Sequence, residues 1–424
     1  MAIPDSFLDE LVARVDITEL IGDYVKLTKR VGGSMFGLCP FHSEKTPSFS
    51  VSADRQIYHC FGCGKGGGAI NFMMELERLS FPDAVEFLAR RAGMTVPDTG
   101  STPELSGLRR RMYEVNRDAA RFFFDALTTP QGGAAARYME QRKITGGAAK
   151  RFGLGAAPDA WTALTNAMLE KGYTTRELLD SGLAKRSAKG GDGVYDTFRN
   201  RLMFPVINVR GDVIGFSGRL LGDGEPKYLN TPDTLVFSKS RNLFALNLAK
   251  KSKAGMLILS EGNIDVVALH QAGFDCAVAS LGTSLTEDQA RLMSRYTENV
   301  VLAFDGDAAG VKASERAIGL LDKTGLKVKV LRMKDAKDPD EFLKKFGVDA
   351  FRRLLEDSEN HIEYRLLEIK DAGSLDTDDG RLAYLARATR LLSALDSPAE
   401  REVYGRRVAE TASGSFVAVA NVVI

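Results

Sequence analysis

The stretch from residue 39 to residue 63 reads Cys39-Pro-Phe-His42-Ser-Glu-Lys-Thr-Pro-Ser-Phe-Ser-Val-Ser-Ala-Asp-Arg-Gln-Ile-Tyr-His-Cys60-Phe-Gly-Cys63. It contains two pairs of metal-ligand residues, and each pair has two residues between its members. This spacing is typical of a tetrahedral zinc site whose four protein ligands leave no position for water. We therefore predict that Cys39, His42, Cys60 and Cys63 bind one structural zinc ion, which stabilises a segment too small to build its own core.

The 17 residues between the two ligand pairs predict a β-hairpin. Residues 48–52 alternate in polarity, residues 53–55 are typical of a turn, and residues 56–59 return as a second strand. His59 is an alternative fourth ligand beside Cys60. We favour His42 because it completes two pairs of equal spacing.

The composition, 44% hydrophobic and 27% charged over 424 residues, predicts a globular protein of two to four domains. No run of 18 apolar residues occurs and the first ten residues are acidic, so we expect neither a membrane span nor a secretory signal. Cysteines in metal-site spacing favour a reducing, cytoplasmic compartment. The remaining cysteine, Cys276, lies in an apolar stretch and is expected in the core.

The net charge of +1 hides a strong asymmetry along the chain. Residues 105–260 carry 25 Lys and Arg against 14 Asp and Glu, whereas residues 261–424 carry 22 against 28. A basic block followed by an acidic one indicates a surface for a polyanion beside a site for cations.

The chain changes pattern at two places. Residues 97–103 form a short polar segment with Pro97 and Pro103 at its ends, which predicts a linker. From Ala254 onward, four apolar strand candidates alternate with three helical patterns. This alternation predicts a parallel or mostly parallel α/β sheet.

Acidic residues follow three of these predicted strands, at the edge where open α/β sheets place their active sites. They are Glu261 with Asp265 one turn later, Asp305 with Asp307, and Asp338 with Asp340. Carboxylate oxygens are preferred ligands of Mg²⁺, and like charges placed together favour a bound cation. The sequence therefore predicts a divalent-metal site suited to phosphoryl transfer.

These motifs resemble known families. The order Glu261-Gly262, Asp305-Gly306-Asp307, Asp338-Pro339-Asp340 is similar to the Toprim domain of bacterial primases, type IA and II topoisomerases and some nucleases. The zinc segment resembles the zinc ribbon of bacterial replicative primases of the DnaG type. Residues 198–205, 213–219 and 226–230 resemble signature stretches of their RNA polymerase domain. The resemblance extends from about residue 5 to about residue 410.

The resemblance implies roles for individual residues. Glu261, Asp305 and Asp307 would be catalytic and hold one to three Mg²⁺ or Mn²⁺ ions, with Asp265, Asp338 and Asp340 assisting. A further set would bind DNA and nucleotide: Arg142, Arg199, Arg201, Arg219, Lys227, Asn230 and Lys239. Phe49, Tyr58 and Phe61 would either stack on exposed bases or pack in the zinc module, with core packing expected for at least two of them.

The resemblance and the patterns together predict an α/β fold, α+β overall, in five segments. These are a zinc-ribbon DNA-binding domain (1–96), a linker (97–104), the basic N-terminal part of an RNA polymerase domain (105–253), a Toprim subdomain (254–345) and a helical subdomain (346–424).

The implied activity is DNA primase activity, that is, synthesis of RNA primers on single-stranded DNA from ribonucleoside triphosphates. The implied setting is the bacterial replication fork in the cytoplasm. We expect a monomer without membrane contact, and a replicative helicase that binds through a C-terminal domain not present in this chain.

Alternatives are a Toprim nuclease or topoisomerase and a non-catalytic zinc-dependent DNA-binding protein. A helicase–primase fusion is rejected because the chain has no nucleotide-binding loop. Four positions depart from the family pattern: Lys143 and Ser217 replace glycines, Ala156 replaces an aromatic residue, and Asn263 replaces a tyrosine. We expect Ser217 to disturb the loop that carries Arg219 if the glycine there needs a positive φ.

Overall fold

The computed structural model describes residues 3–413, except residues 32, 43, 78, 97–102, 188–192, 283, 334 and 396. Most of the predicted linker therefore lies outside the described residues, as does the apolar C-terminal stretch from residue 414.

The N-terminal segment forms a zinc module, in which four helices surround a five-stranded antiparallel sheet. As predicted, the strand after the first ligand pair turns back on the strand that ends at Cys60, and Phe49 pairs with Cys60. The first hairpin of the sheet was not predicted. The elements are α1 (Asp5–Arg14), α2 (Ile17–Gly22), β1 (Lys29–Val31), β2 (Ser34–Gly37), β3 (Phe49–Ser52), β4 (Ile57–Cys60), β5 (Gly66–Gly67), α3 (Ala69–Leu76) and α4 (Phe81–Arg91).

Aromatic rings form the centre of the zinc module. Phe49 stacks on Tyr58 with ring centres 5.3 Å apart, and Phe72 meets Tyr58 edge-on at 5.5 Å. Phe49 and Tyr58 are fully buried, whereas Phe61 is 69% exposed. Two of the three aromatic candidates for base stacking are therefore core residues, and Phe61 remains on the surface.

The basic segment folds around a four-stranded antiparallel sheet of order β11-β10-β9-β6, beside a small β7–β8 hairpin. The hairpin predicted around residues 210–212 connects β9 to β10. The elements are α5 (Pro103–Ala126), α6 (Gly133–Gln141), α7 (Gly146–Phe152), β6 (Gly155–Ala157), α8 (Ala163–Glu170), α9 (Thr175–Asp180), β7 (Ala184–Arg186), β8 (Val194–Asp196), β9 (Arg201–Ile207), β10 (Val213–Leu220), β11 (Tyr228–Asn230) and α10 (Leu246–Ala249), with 3₁₀ turns at Pro130–Gly132 and Lys239–Arg241.

The predicted α/β unit is a five-stranded sheet of order β13-β12-β14-β15-β16. Its first four strands are parallel, and the two-residue β16 pairs antiparallel at the edge. The elements are β12 (Leu257–Ser260), α11 (Asn263–Gln271), β13 (Ala277–Ala279), α12 (Glu287–Ser294), β14 (Asn299–Ala303), α13 (Ala308–Asp322), β15 (Lys327–Val330), α14 (Pro339–Phe346), α15 (Val348–Glu356) and β16 (Glu359–Asn360). The prediction of a mostly parallel sheet is confirmed.

Three helices follow: α16 (His361–Asp371), α17 (Asp378–Ser393) and α18 (Pro398–Ser413). They pack around a small core of their own that includes Tyr384, Leu392 and Val408.

Within the described ranges, no helix combines the length and the apolar composition that a membrane crossing needs.

Ion pairs connect the zinc module to the rest of the chain. Arg210 contacts Glu86 and lies 3.7 Å from Asp83, and Arg90 donates to Asp212 at 2.7 Å. Lys251 lies 3.1 Å from Glu77, and it precedes β12 in the chain. The module is thus docked toward the end of the parallel sheet where the strands begin.

Candidate zinc site and acidic active site

The structure brings the four predicted zinc ligands together. Their ligand atoms all lie within 4.8 Å of one another, with 3.9 Å between the Sγ atoms of Cys39 and Cys63 and 3.7 Å between Cys60 Sγ and His42 Nδ1. Tetrahedral zinc with bonds of about 2.3 Å to sulfur places neighbouring ligands about 3.8 Å apart, so this set fits zinc closely. His59 is exposed and turned against Phe61, which leaves His42 as the histidine ligand.

Glu44 connects the zinc ligands to one another, and the sequence analysis missed it. Its Oε1 accepts hydrogen bonds from the main-chain N–H groups of Cys39 at 2.7 Å and Ser48 at 3.2 Å. Its Oε2 lies 3.3 Å from His42 Nε2 and accepts from Ser48 Oγ, which is 3.4 Å from Cys60 Sγ. A carboxylate on the far nitrogen of a metal-binding histidine fixes the tautomer and the ring orientation.

The carboxylates predicted to be catalytic follow two neighbouring parallel strands. Glu261 follows β12 and Asp305 follows β14, and the main-chain N–H of Asp305 donates to Glu261 Oε1 at 3.3 Å. Asp307 accepts from the main-chain N–H of Gly310 at 2.9 Å. Burial and the neighbouring acids raise the pKa of Glu261 and of Asp305. The three side chains thus share one end of the sheet.

Asp265 is a deeply buried member of this acidic cluster. It lies on the first turn of α11, and burial together with the charges of Asp338 and Asp305 raises its pKa to about 8. In the part of the chain that the structure describes, the carboxylates do not gather as tightly as the zinc ligands. Like charges stay apart without a cation between them, and these hard oxygen donors fit a divalent ion such as Mg²⁺.

The two acids of the turn at residues 338–340 point to different partners. Asp338 accepts from the main-chain N–H of Glu341 at 2.8 Å and caps α14. Asp340 instead binds two cations, Arg142 at 3.0 Å and Lys344 at 2.7 Å. Asp340 therefore faces the basic segment.

Several predicted basic residues lie around tyrosine rings next to the acidic cluster. The Arg219 guanidinium lies 5.6 Å from the ring centres of both Tyr138 and Tyr228, and Arg142 lies 5.5 Å from Tyr138. The positive charge of Lys227 lowers the pKa of Asp305 against the larger upward effect of burial. Lys227 directly precedes β11, and Asn230 at the end of β11 donates to Leu281 O at 3.0 Å.

The other predicted nucleic-acid residues lie in different surroundings. Arg199 stacks on Trp161 at 4.1 Å, with Tyr195 at 5.1 Å. Arg201 is buried and donates to the carbonyls of Gly218 at 2.9 Å and Pro226 at 3.1 Å, so it connects β10, which carries Arg219, to the segment before β11 that contains Lys227. Lys239 begins a 3₁₀ turn, and its main-chain oxygen accepts a hydrogen bond from Gln289 Nε2 at 2.9 Å.

Tyr138, Tyr228 and Lys344 were also missed by the sequence analysis. Tyr138 precedes Arg142 by four residues on α6, and Lys344 follows Asp340 by four residues on α14. Pairs at this spacing share a helix face, so the helical patterns could have indicated both. Tyr228 lies in a strand, and its contact with Arg219 depends on the pairing of β10 with β11.

Two of the departures from the family pattern have different structural outcomes. Ser217 lies in the middle of β10, paired with Phe204 and Asn230, and has no positive φ. The expected disturbance of the Arg219 strand is therefore not found. Lys143 adopts φ 59°, in the left-handed region that favours glycine.

Four family models match the chain. Residues 3–103 match the CHC2 zinc finger, and residues 122–250 match the N-terminal domain of the DNA primase catalytic core. Residues 258–343 match the Toprim-like model, and residues 362–415 match the DnaB-helicase binding domain of primase. The expectation that the helicase-binding domain is absent is therefore wrong. The segment of helices α16 to α18 includes residues 362–413 of this match, and the sequence alone predicted only a helical subdomain here.

The relatives agree along nearly the whole chain. The DNA primase of Clostridium acetobutylicum is 41% identical over 413 residues, which cover 97% of this chain and 68% of the relative. The DNA primase of Halalkalibacterium halodurans is 38% identical over 423 residues, covering 98% and 70%.

Solved structures give the same assignment. The Aquifex aeolicus primase, with its zinc-binding and RNA polymerase domains, has a TM-score of 0.62 at 33% identity and 96% coverage of both chains. The RNA polymerase domain of Mycobacterium tuberculosis DnaG in complex with double-stranded DNA has a TM-score of 0.67 at 32% identity, covering 72% of this chain and 99% of that one. The zinc ribbon, the Toprim sheet and the relatives agree, and the chain belongs to the family of DnaG-type bacterial DNA primases.

Proposed function

We propose that this chain synthesises short RNA primers on single-stranded DNA, with Glu261, Asp305 and Asp307 holding the catalytic Mg²⁺ or Mn²⁺ ions. The observation that carries the proposal is the contact between Asp305 and Glu261 at the ends of two adjacent parallel strands. When bound, the ions would lower the pKa of the attacking 3′-hydroxyl and stabilise the leaving pyrophosphate.

The protein's own groups prepare this site. The main-chain N–H of Gly310 orients Asp307, and the N–H of Asp305 orients Glu261. The buried Asp265 and the helix cap Asp338 lie close enough to interact electrostatically, and we propose both as assisting residues. Hard oxygen donors thus lie together at this end of the sheet, and the charge of Lys227 acts on one of them, Asp305.

The basic residues would hold template and nucleotide. Arg219 and Arg142 both lie within 5.6 Å of the Tyr138 ring centre, and Arg142 pairs with Asp340. They suit the triphosphate, because a guanidinium group binds two phosphate oxygens at once. The charge of Lys227 lowers the pKa of Asp305, and we propose that Lys227 also binds the triphosphate. Arg199 on Trp161 is proposed to contact single-stranded template.

We propose the division of labour that the sequence predicted. Residues 1–96 would contact template through the zinc module, residues 105–253 would bind nucleic acid and nucleotide, and residues 254–345 would carry out catalysis. For the helical subdomain, residues 346–424, the sequence predicted no helicase contact, and helicase binding is proposed here from the match at residues 362–415. The matched family models support this division. The proposed setting is the cytoplasmic replication fork, as for a bacterial primase.

Incorporation of labelled ribonucleotides on single-stranded DNA with Mg²⁺ or Mn²⁺ tests the proposal. We expect Asp305→Asn and Glu261→Gln to reduce oligoribonucleotide synthesis by a factor on the order of 100 or more. Asp349→Asn removes an exposed carboxylate that pairs only with Arg352 among the contacts of the described residues, and it should retain full activity. The proposal fails if the wild-type chain makes no oligoribonucleotide while Asp305→Ala leaves DNA binding unchanged.

A further inference from the structure

The carboxylate of Asp340 is almost completely buried and is occupied by two cations. Its side chain is 4% exposed, and one oxygen, Oδ2, accepts from both Arg142 Nη1 at 3.0 Å and Lys344 Nζ at 2.7 Å. Asp338, two residues earlier, caps α14, and its charge raises the pKa of Asp265 and of Asp305. Asp340 also acts on Asp265, but its charge has a smaller effect than that of Asp338. The two acids of one short turn therefore have different electrostatic roles.

Because Arg142 and Lys344 already contact its carboxylate, Asp340 is poorly suited to bind a metal ion. A divalent ion at Asp340 Oδ2 would meet two positive groups within hydrogen-bond distance of the same oxygen, and like charges repel strongly where water is excluded. The main-chain N–H of Asp340 also points to Asp265 Oδ1 at 3.4 Å, which ties the turn to the cluster through the backbone. The side chain itself connects the Toprim unit to the basic segment.

Arg142 extends this connection into the basic residues. It caps α6 and lies 5.5 Å from Tyr138, whose ring also lies 5.6 Å from Arg219. Two guanidinium groups thus lie near one tyrosine ring, and Asp340, from the Toprim unit, binds one of them, that of Arg142. Without Asp340 the Arg142 side chain would lose its charged anchor and regain rotamer freedom.

We propose that Asp340 is a positioning residue rather than a metal ligand, and that together with Lys344 it holds Arg142 where the triphosphate of an incoming ribonucleotide is bound. This inference rests on the proposed primase function, which supplies the nucleotide. Lys344 places a second cation on the same oxygen, so the single charge of the buried carboxylate is more than balanced by its two partners.

Manganese binding and nucleotide kinetics on the full chain separate the two roles. We expect Asp340→Asn to keep the Mn²⁺ dissociation constant within about twofold of wild type, as followed by the electron paramagnetic resonance signal of free Mn²⁺, whereas Asp338→Asn weakens binding about tenfold or more. Asp340→Asn should raise the KM for ribonucleoside triphosphate about tenfold with a smaller change in kcat. Arg142→Ala should do the same, and the double variant should be no worse than Arg142→Ala alone.

Neighbouring lysines on α14 provide a matched control. Lys344→Ala should raise the KM, whereas Lys345→Ala, which removes a partly exposed partner of Glu341, should leave it at the wild-type value. The proposal is overturned if Asp340→Asn weakens Mn²⁺ binding as much as Asp338→Asn, or if the effects of Asp340→Asn and Arg142→Ala simply add. If the wild-type chain makes no RNA, the primase function fails, and the Mn²⁺ titration alone still decides whether Asp340 is a ligand.

Discussion

The guanidinium group of Arg199 lies 4.1 Å from the ring centre of Trp161, the one tryptophan of the chain. Trp161 is 66% exposed, and Tyr195 meets its ring edge-on at 5.5 Å. An exposed aromatic ring with a neighbouring guanidinium is suited to stacking and phosphate contact with single-stranded nucleic acid. We predict that titration with oligodeoxythymidine changes the tryptophan emission, and that Arg199→Ala weakens binding and lowers the salt slope by about one.

Two variants control this measurement. Trp161→Phe keeps an aromatic ring and should retain DNA binding without the emission signal, and Arg176→Ala, at an exposed arginine on α9, should leave the salt slope unchanged. Unchanged emission at a DNA concentration that saturates a filter-binding assay would contradict the contact.

The Glu44 network predicts that zinc retention depends on a residue that is not a ligand. In Glu44→Gln the amide N–H₂ group can face His42 Nε2–H, so that two donors meet and the ring loses its orientation. We expect zinc to transfer to a chromogenic chelator about 10 to 100 times faster than from wild type. Glu75→Gln, which removes an exposed carboxylate paired with Lys65 in the same module, should transfer zinc at the wild-type rate. Equal rates of zinc transfer from both variants would show that Glu44 does not stabilise the zinc site.

The contacts of Arg210 predict that this residue holds the zinc module against the basic segment. Its side chain is 19% exposed, contacts Glu86, and donates to Tyr113 Oη at 2.9 Å. The carboxylates left without a partner, Glu86 at 37% and Asp83 at 25% exposure, are partly solvated, so the cost falls below that of a buried pair, to about 1 to 2 kcal/mol. We therefore expect Arg210→Ala to undock the module, seen as a larger radius of gyration in small-angle X-ray scattering. The exposed Arg241, paired with Asp288, is the control, and Arg241→Ala should keep the wild-type radius.

Local sequence patterns predicted the elements that carry the site, because those patterns have local physical causes. Alternating apolar strands and helices after Ala254 gave the parallel sheet, and ligand spacing gave the zinc cluster. The β1–β2 hairpin was missed although the sequence has two successive glycines, at positions 32 and 33, and such a pair is a common signal of a hairpin turn. The contact of Arg142 with Asp340 joins residues 198 positions apart, and no local pattern determines such a partner.

Lys143 shows how a departure from a family pattern becomes a stability prediction. Its φ of 59° costs a residue with a Cβ about 1 kcal/mol or more, and glycine avoids this cost but loses more chain entropy on folding. The main-chain oxygen of Lys143 accepts from Gln271 Nε2 at 2.9 Å, so the conformation is fixed by the fold. We expect Lys143→Gly to stabilise the protein by about 0.5 to 1 kcal/mol in urea unfolding. Lys150→Gly, inside helix α7, should instead destabilise it by about 1 kcal/mol.

The buried His270 predicts a loss of stability in mild acid. Its Nε2 lies 2.9 Å from Ala277 O, and burial lowers its pKa to about 4, whereas an unfolded histidine has a pKa of about 6.5. The unfolded state therefore binds more protons between these values, so stability is complete above about pH 6.5 and falls as the pH drops toward 4. At pH 5 the loss from this residue is about 2 kcal/mol. His270→Gln retains a donor for Ala277 O but does not titrate, so its urea midpoint should fall less between pH 7 and pH 5 than that of wild type. An equal fall in both proteins would show that His270 does not cause the acid sensitivity.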